Sequence, residues 1–381
     1  MKNIVLKMVV AAYFFFYPSF IWAQEETNNP DKKGINIANI VKMSGNWFMA
    51  YRDGIAQTQA DQDVLATNNH ESAFVLKRSY ITLKKDLDDV FSVRYTMDLT
   101  IDRDGEDAGN IETRLKYLYV KTKPRINSKV FTGLWIQVGM VHTPWLDYEQ
   151  KINTYRVQDN MFIERNKIFN SADFGITVNG NIGPKMDEAF LKKVKSPLTG
   201  KYLSYAFGLY NGGGYSGAEN NNNKLIAGRL SYRPFPSKIP ELQISGYFNT
   251  GKGNSAERPD FNQVLGFLAY TGQQLTLTAQ THEGTGDFRA TYTDENNPKI
   301  ALKNYGYSFF GEYKFKKSPF AIWGRYDNFT VKDITDNNTK RYIGGLTYKI
   351  NNYLRMVFNV EHSNKINTKD DIYEVNLEVA F

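Results

Sequence analysis

Alternation with a period of two, sustained from about residue 41 to the last residue, is the feature that most narrows what this chain can become. Phe91, Val93, Tyr95, Met97, Leu99 and Ile101 share one face, and Ser92, Arg94, Thr96, Asp98, Thr100 and Asp102 share the other. Tyr305, Tyr307, Phe309, Gly311, Tyr313 and Phe315 repeat the pattern opposite Ser308, Glu312 and Lys314, as do Leu354, Met356, Phe358 and Val360 opposite Arg355, Asn359 and Glu361. A two-residue period divides side chains between the faces of a sheet, whereas a helix groups them every three or four residues. One stretch departs: between Lys185 and Ser196, the spacing of Met186, Phe190, Leu191 and Val194 predicts a helix.

About sixteen such runs can be counted, over 41–51, 73–84, 90–101, 113–121, 134–142, 173–181, 201–211, 224–233, 241–250, 261–270, 274–282, 304–314, 319–329, 340–350, 353–362 and 371–381. An even count lets an antiparallel sheet close with both chain ends on one side. The connections 85–89, 235–240, 271–273, 316–318 and the Asn351 junction are short, while 52–72, 102–112, 143–172, 283–303 and 330–339 are long and polar. The expected fold class is therefore all-β: a transmembrane antiparallel β-barrel of about 16 strands, with short periplasmic turns and long extracellular loops. The 182–200 connection breaks this rule, because it should be a short turn and holds the helical stretch.

A soluble β-sandwich is the alternative, with the apolar face buried in a core. Two features oppose it. The polar face carries ionisable residues on strand after strand, and the chain ends on the alternating run Tyr373, Val375, Leu377, Val379, Phe381. A terminal Phe381 on such a strand resembles the signal read by the barrel-assembly machinery. At the other end, Met1–Ala23 has basic Lys2 and Lys7 before a short apolar stretch interrupted by Pro18, as in a secretory signal and unlike an anchoring helix. The expected organisation is a signal peptide over 1–23, a flexible periplasmic leader over 24–35 and an outer-membrane barrel over 36–381. Removing the signal takes the net charge from +7 to +5, a modest excess that gives no reason to expect a nucleic-acid partner. Mean hydropathy of −0.49 alongside Tyr 25 and Phe 25 fits strands whose two faces average out. The absence of cysteine excludes disulfides and thiolate metal sites.

Several segments, in order, resemble the phosphate-selective porin family of the O/P type. They are Lys77-Arg78-Ser79-Tyr80, Leu115-Lys116-Tyr117-Leu118-Tyr119, Gly139-Met140-Val141-His142-Thr143-Pro144-Trp145, Met161-Phe162-Ile163-Glu164-Arg165 and Asp173-Phe174-Gly175-Ile176. Leu209-Tyr210-Asn211-Gly212-Gly213-Gly214, Gly228-Arg229-Leu230-Ser231-Tyr232-Arg233-Pro234 and Trp323-Gly324-Arg325-Tyr326-Asp327 continue the series. The resemblance implies a 16-stranded porin, commonly a homotrimer, whose loop after the fifth strand folds into the pore. Its selective members carry an arginine ladder and a lysine cluster; no comparable lysine cluster can be placed in this sequence.

Extrapolating the polar faces inward gives twelve basic pore-lining candidates: Arg78, Lys84, Arg94, Arg114, Lys116, Arg229, Arg233, Lys314, Arg325, Arg341, Lys349 and Arg355. Seven acids stand against them: Asp98, Asp102, Glu312, Asp327, Glu361, Glu374 and Glu378. A lumen with excess positive charge concentrates anions, unless the charges simply pair across neighbouring strands. The 143–172 loop is the constriction candidate, with Asp147, Glu149, Lys151, Arg156, Asp159, Glu164, Arg165 and Lys167; packing on the outer rim is its alternative. The 100–107 stretch lacks the acids of a calcium loop at its first and twelfth positions, although an adventitious ion there stays open. Gly212–Gly214 and Gly251-Lys252-Gly253 lack phosphate-loop spacing. His70, His142, His282 and His362 show no ligand or triad spacing. No enzyme, cofactor or metal is expected. The leading reading is a passive porin in the outer membrane of a Gram-negative bacterium, in contact with lipid, passing small anionic or neutral solutes. The alternative is a non-transporting barrel serving as receptor, adhesin or envelope-assembly component.

Overall fold

A computed structural model describes residues 41–55, 70–101, 109–332, 337–365 and 368–381. The expected signal, the leader and Asp102 lie outside the described residues. Sixteen strands alternate up and down and close into one antiparallel barrel. They are β1 (Lys42–Ile55), β2 (His70–Asp86), β3 (Phe91–Ile101), β4 (Ile111–Thr122), β5 (Phe131–His142), β6 (Ala172–Ile182), β7 (Leu203–Tyr210) and β8 (Leu225–Tyr232). Then follow β9 (Leu242–Lys252), β10 (Asp260–Thr271), β11 (Leu275–Thr285), β12 (Lys303–Lys314), β13 (Phe320–Lys332), β14 (Asn337–Lys349), β15 (Leu354–Lys365) and β16 (Thr368–Ala380). The seam joins β1 to β16, with Asn46 opposite Ala380 and Ile55 opposite Asp371. Phe381 finishes it: its backbone exchanges two hydrogen bonds with Gly45, and its ring meets Trp47 edge-on at 5.4 Å.

Closure gives every strand a neighbour on both sides and leaves no open sheet edge, the condition for placing backbone in a medium without water. The outward positions are accordingly apolar and exposed, including Phe207, Ile226, Leu230, Ile244, Leu268, Leu277, Phe309 and Ile322. The end that carries the start of β1 and the end of β16 has the short turns; the opposite end has most of the long connections. Two details differ from the sequence expectation, and a third agrees with it. Strands β13 and β14 run further than the alternation suggests, so the expected 330–339 loop shrinks to 333–336, outside the described residues. The 211–224 connection is long instead. The expected helix between 185 and 196 forms as Glu188–Val194, capped by the Asp187 carboxylate, which accepts from the Phe190 N–H at 2.9 Å.

Two strands contain a bulge that re-aims a basic residue. Opposite β1, Phe48 pairs with Arg78 and Met49 with Leu76, leaving Lys77 as the extra residue. Opposite β3, Thr96 pairs with Tyr117 and Met97 with Leu115, leaving Lys116 extra. Such an insertion lets consecutive residues turn to the same side. Both Lys77 and Arg78 reach inward groups, and so do both Lys116 and Tyr117.

Candidate solute channel

The 143–171 segment does not rest on the rim. It folds into the lumen as a strap containing α1 (Leu146–Ile152) and α2 (Phe162–Arg165). The α3 helix is the Glu188–Val194 element at the turn end. The strap sequence explains where it goes. Trp145, Leu146, Tyr148, Ile152, Phe162, Ile163, Ile168 and Phe169 are buried against Tyr210, Leu225, Tyr247, Phe261, Leu265, Phe267 and Phe329 of the wall. Trp145 is the centre, fully buried and packed on Phe267 and Tyr247 at 5.4 and 5.6 Å. On β10 the extrapolation of polar faces inward fails: its lumen face is mostly apolar, with Phe261, Leu265, Phe267 and Ala269 beside Gln263 and Thr271. A wall position can be apolar wherever the strap supplies an apolar partner.

Further along, the strap changes from apolar to ionic contact. Tyr155 stacks on Trp323 at 4.4 Å and donates to Glu312 Oε1 at 2.8 Å. The Gln158 amide donates to Glu361 at 2.9 Å, Arg165 pairs with Glu361, and Arg325 Nη1 donates to the Asn160 carbonyl at 2.9 Å. Lys77, from β2 across the lumen, reaches the Gln158 carbonyl. The strap therefore spans the barrel. Its own charges follow these contacts. Burial works against the charge on Asp159, but Arg165 and Lys77 outweigh it and hold that carboxyl below the usual range. Glu149 is the opposite case. Burial pushes its carboxyl up to about 7, only partly offset by Arg325 and the Trp145 indole N–H at 2.9 Å.

The twelve basic candidates fall into three settings. Some are bound to acids: Arg78 to Asp98 at 2.7 Å, Arg114 to Asp98 at 3.6 Å, Lys314 to Glu312 at 3.0 Å, and Arg325 and Arg355 to Asp327 and Glu378, each at 2.6 Å. A second set holds backbone or neutral groups. Arg229 donates to the Pro144 carbonyl at 2.9 Å and lies over the Tyr148 ring, and Arg233 is tied to the Pro240 carbonyl and Ser196. Arg341 donates to Asn166 at 3.0 Å, Lys349 to Asn352 at 3.0 Å, and Lys116 to the Tyr80 hydroxyl at 3.1 Å. Arg94 contacts Thr96 and His142 and lies 4.5 Å from the Tyr117 ring, while exposed Lys84 pairs in register with it. Buried Arg229 and Arg233, at 4% and 2% exposure, clamp structure and do not face open solvent.

The strap candidates divide similarly. Glu149 and Glu164 are buried, Arg156 lies 3.6 Å from Glu164 and contacts Tyr80, and Asp159 lies 3.5 Å from Arg165. Lys151 is bound to Asp147 at 2.6 Å yet remains half exposed. Lys167 sits at φ 56° where the strap turns out of α2.

Sequence reasoning missed five participants. Lys77 and Arg52 both bind Glu374, a triad that needs the Lys77 bulge. Tyr215, from the 211–224 connection, crosses to donate to Asp98 at 3.1 Å. The residues around α3 bring Lys193 and Lys195 to the turn-end mouth. Burial and the nearby charges of Lys314, Lys349 and Arg355 hold the Lys195 ammonium below its ordinary pKa. Only the α3 periodicity gave any warning.

Between strap, wall and α3 lies an open space of about 740 Å³. Its lining has nine basic residues, Arg94, Lys116, Lys151, Arg156, Lys193, Lys195, Lys314, Lys349 and Arg355, against three acids, Asp147, Glu312 and Glu378. Each of those acids already has a basic partner. Among the described residues no group of His, Asp or Glu could hold a metal ion.

No protein-family model matches the chain, and no curated protein matches it. Solved structures do. An anion-selective porin from Comamonas acidovorans superposes with a TM-score of 0.61 at 10% identity, covering 90% of this chain and 99% of that one. OmpF of Salmonella typhi, in complex with daunomycin, gives 0.58 at 12%, covering 90% and 97%. The outer membrane channel DcaP of Acinetobacter baumannii gives 0.55 at 10%, covering 90% and 97%. At these identities the likeness establishes the fold: this chain is a sixteen-strand barrel of the porin type.

Proposed function

We propose that the chain is an outer-membrane porin, a passive diffusion channel for small hydrophilic solutes with a weak preference for anions. The turn end faces the periplasm and the loop end the exterior. The observation that carries the reading is the charge of the open space beside the strap, nine cations against three already partnered acids. Low-dielectric walls strengthen such a field, so anions are concentrated and cations repelled. Arginine suits the task, because its planar fork grips carboxylate or phosphate oxygens and stays charged. The resemblance to phosphate-selective porins and the anion-selective structural neighbour support the same direction. Export through the 1–23 segment, assembly through the strand ending in Phe381, and a homotrimer belong to this reading.

One observation favours the alternative of a non-transporting barrel: the strap's apolar core packs solid against β7–β10 and β13. Planar-bilayer recording of the purified protein decides. Stepwise ohmic openings with an anion-shifted reversal potential support the porin, and a complete lack of openings sinks it. Titrating phosphate into the chloride current then separates a generic channel, which is unaffected, from a phosphate-selective one, which is blocked.

A further inference from the structure

The outer wall over β9–β14 is built differently from an ordinary lipid-facing surface. At mid-height each strand turns out a small residue: Gly246, Gly266, Ala279, Gly311, Gly324 and Gly344. Gly246 pairs directly with Gly266, and Gly311, Gly324 and Gly344 form one continuous row across β12–β14. The barrel's own packing does not require glycine there. A Cβ on Gly344 would meet nothing within 4 Å, on Gly246 or Gly324 nothing nearer than 4.0 or 3.5 Å, and on Gly266 or Gly311 only the side chains of Thr281 and Leu277, at 3.4 and 3.3 Å. Glycine weakens a strand and marks close approach by something else. Around Ala279, Gly311, Gly324 and Gly344 lies a groove of about 930 Å³, walled by Leu268, Leu277, Phe309, Tyr326, Tyr342 and Val360.

Above the groove the wall changes in the same order on three strands. Toward the loop end, outward residues on β12 run Gly311, Phe309, Tyr307, Tyr305, Lys303; on β13, Gly324, Tyr326, Asn328, Thr330, Lys332; on β14, Gly344, Tyr342, Lys340. The tyrosines form a belt, with Tyr326 at 6.0 Å from Tyr307 and 4.8 Å from Tyr342. The exposed lysines follow. Lys303 stands directly opposite Lys332, and Lys340 and Lys369 flank Asn364 in one row. Like charges placed opposite each other destabilise a sheet, and among the described residues none of the four makes an ion pair. Among the described strand residues the acids on this face are Asp260, bound to Lys252 at 2.5 Å, Glu283, opposite Tyr305, and Asp371, which is taken by His362 at 2.6 Å. The 333–336 turn, with Asp333 and Asp336, lies outside the described residues.

Glycines that the wall's own packing does not demand and lysines that pair with no acid among the described residues are two separate costs, stacked on one wall. We propose that a phosphate-bearing lipid with several acyl chains, drawn from the outward leaflet, is seated there. Its chains lie in the groove, its headgroup rests on the tyrosine belt and its phosphates meet Lys303, Lys332, Lys340 and Lys369. Six strands spaced about 4.8 Å apart make a groove wider than one chain, which selects a multi-acyl lipid. The inference rests on the membrane placement proposed above and is independent of what the lumen conducts.

Native mass spectrometry of the full barrel in detergent, titrated with hexa-acyl lipid A, tests it. Wild-type protein should retain lipid A at least tenfold more tightly than dioleoyl phosphatidylethanolamine. The variant Lys303→Ser/Lys332→Ser/Lys340→Ser/Lys369→Ser should lose that tenfold preference, and Gly324→Leu/Gly344→Leu should weaken lipid A by a similar factor. Both variants should conduct as wild type does, because neither touches the lumen. Undiminished lipid A binding by the lysine variant, a polar surface change that leaves the ladder intact, would overturn the proposal. So would equal retention of both lipids. A glycine variant that separates an oligomer while keeping lipid A would overturn it too, assigning the groove to a second copy of the chain. Absence of conductance in all three proteins would sink the porin reading without deciding the lipid result.

Discussion

Replacing Trp145 with alanine should release the strap while leaving the barrel intact. The side chain is fully buried, touches Tyr148, Tyr247 and Phe267, and donates its indole N–H to Glu149. Truncating a buried tryptophan costs about 3–5 kcal/mol. None of that loss falls on the wall, whose strands are held by their own ladder hydrogen bonds. At about 1.4 kcal/mol per factor of ten, the ratio of released to docked strap should rise on the order of a thousandfold. Trypsin can read this ratio, since Lys151, Arg156, Arg165 and Lys167 all lie on the strap. Where opening and closing are fast, cleavage tracks the open population, so the cleavage rate should rise by the same factor. Bilayer recordings should show larger and noisier openings. If the folded variant is cleaved less than about tenfold faster with unchanged conductance, the apolar core does not hold the strap, and the packing argument fails.

Three further outcomes are expected. Reversing Arg94 and Lys349 to glutamate should move the reversal potential toward cations, because both line the open space and neither is bound to an acid; an unchanged ion ratio would place the conducting path elsewhere. Glu149 has its carboxyl raised to about 7 by burial, so between about pH 4.5 and 7 the released strap ionises while the docked strap keeps its proton, and docking weakens as pH rises by about 3 kcal/mol. Hydrogen exchange of strap amides should show that loss in wild type and a flat profile in Glu149→Gln; matching profiles would refute the assignment. Phe381→Ala should lose about 1 kcal/mol of folded stability through the Trp47 contact but a much larger share of assembled barrel in cells, and equal small losses in both assays would deny Phe381 an assembly role.

Strand alternation was readable because a barrel wall has two solvents, and each side chain answers to one of them. All sixteen strands follow from that rule, as does the helical break near Lys185–Ser196. The rule does not report which face is inside. On β10 the inward Phe261, Leu265 and Phe267 read as a lipid face, because their partner is a strap more than ninety positions earlier in sequence. Bulges defeat the rule differently. One extra residue exchanges the faces beyond it, so strict alternation assigns Tyr117 to the outside although its ring meets Arg94 and His142 within the lumen. Lys77 was lost for the same reason, and Glu374 with it as the centre of a triad.

The division of the strap's contacts decides what a charged lumen can do. Against β7–β10 it is held by apolar burial, which needs no charge; against β12–β15 it is held by Glu312, Glu361 and Arg325, which occupies charged groups of the wall and, at Arg165–Glu361, of the strap as well. Partly buried ion pairs of this kind fix geometry more than they add stability, and a paired arginine contributes little field to a passing solute. A simple count of inward arginines therefore overstates selectivity. The cations that matter are those the strap leaves alone: Arg94 and Lys116 on one side, and Lys193, Lys195 and Lys349 at the turn-end mouth. Two of these five come from the 183–202 insertion. An insertion with no place in a minimal barrel would then be part of the selectivity apparatus. Shortening it to a tight turn should reduce anion preference more than removing Arg325, which is fixed to Asp327 and buried. Reversal potentials of the two variants, measured in the same salt gradient, would decide the order, and a larger effect from Arg325→Ala would contradict it.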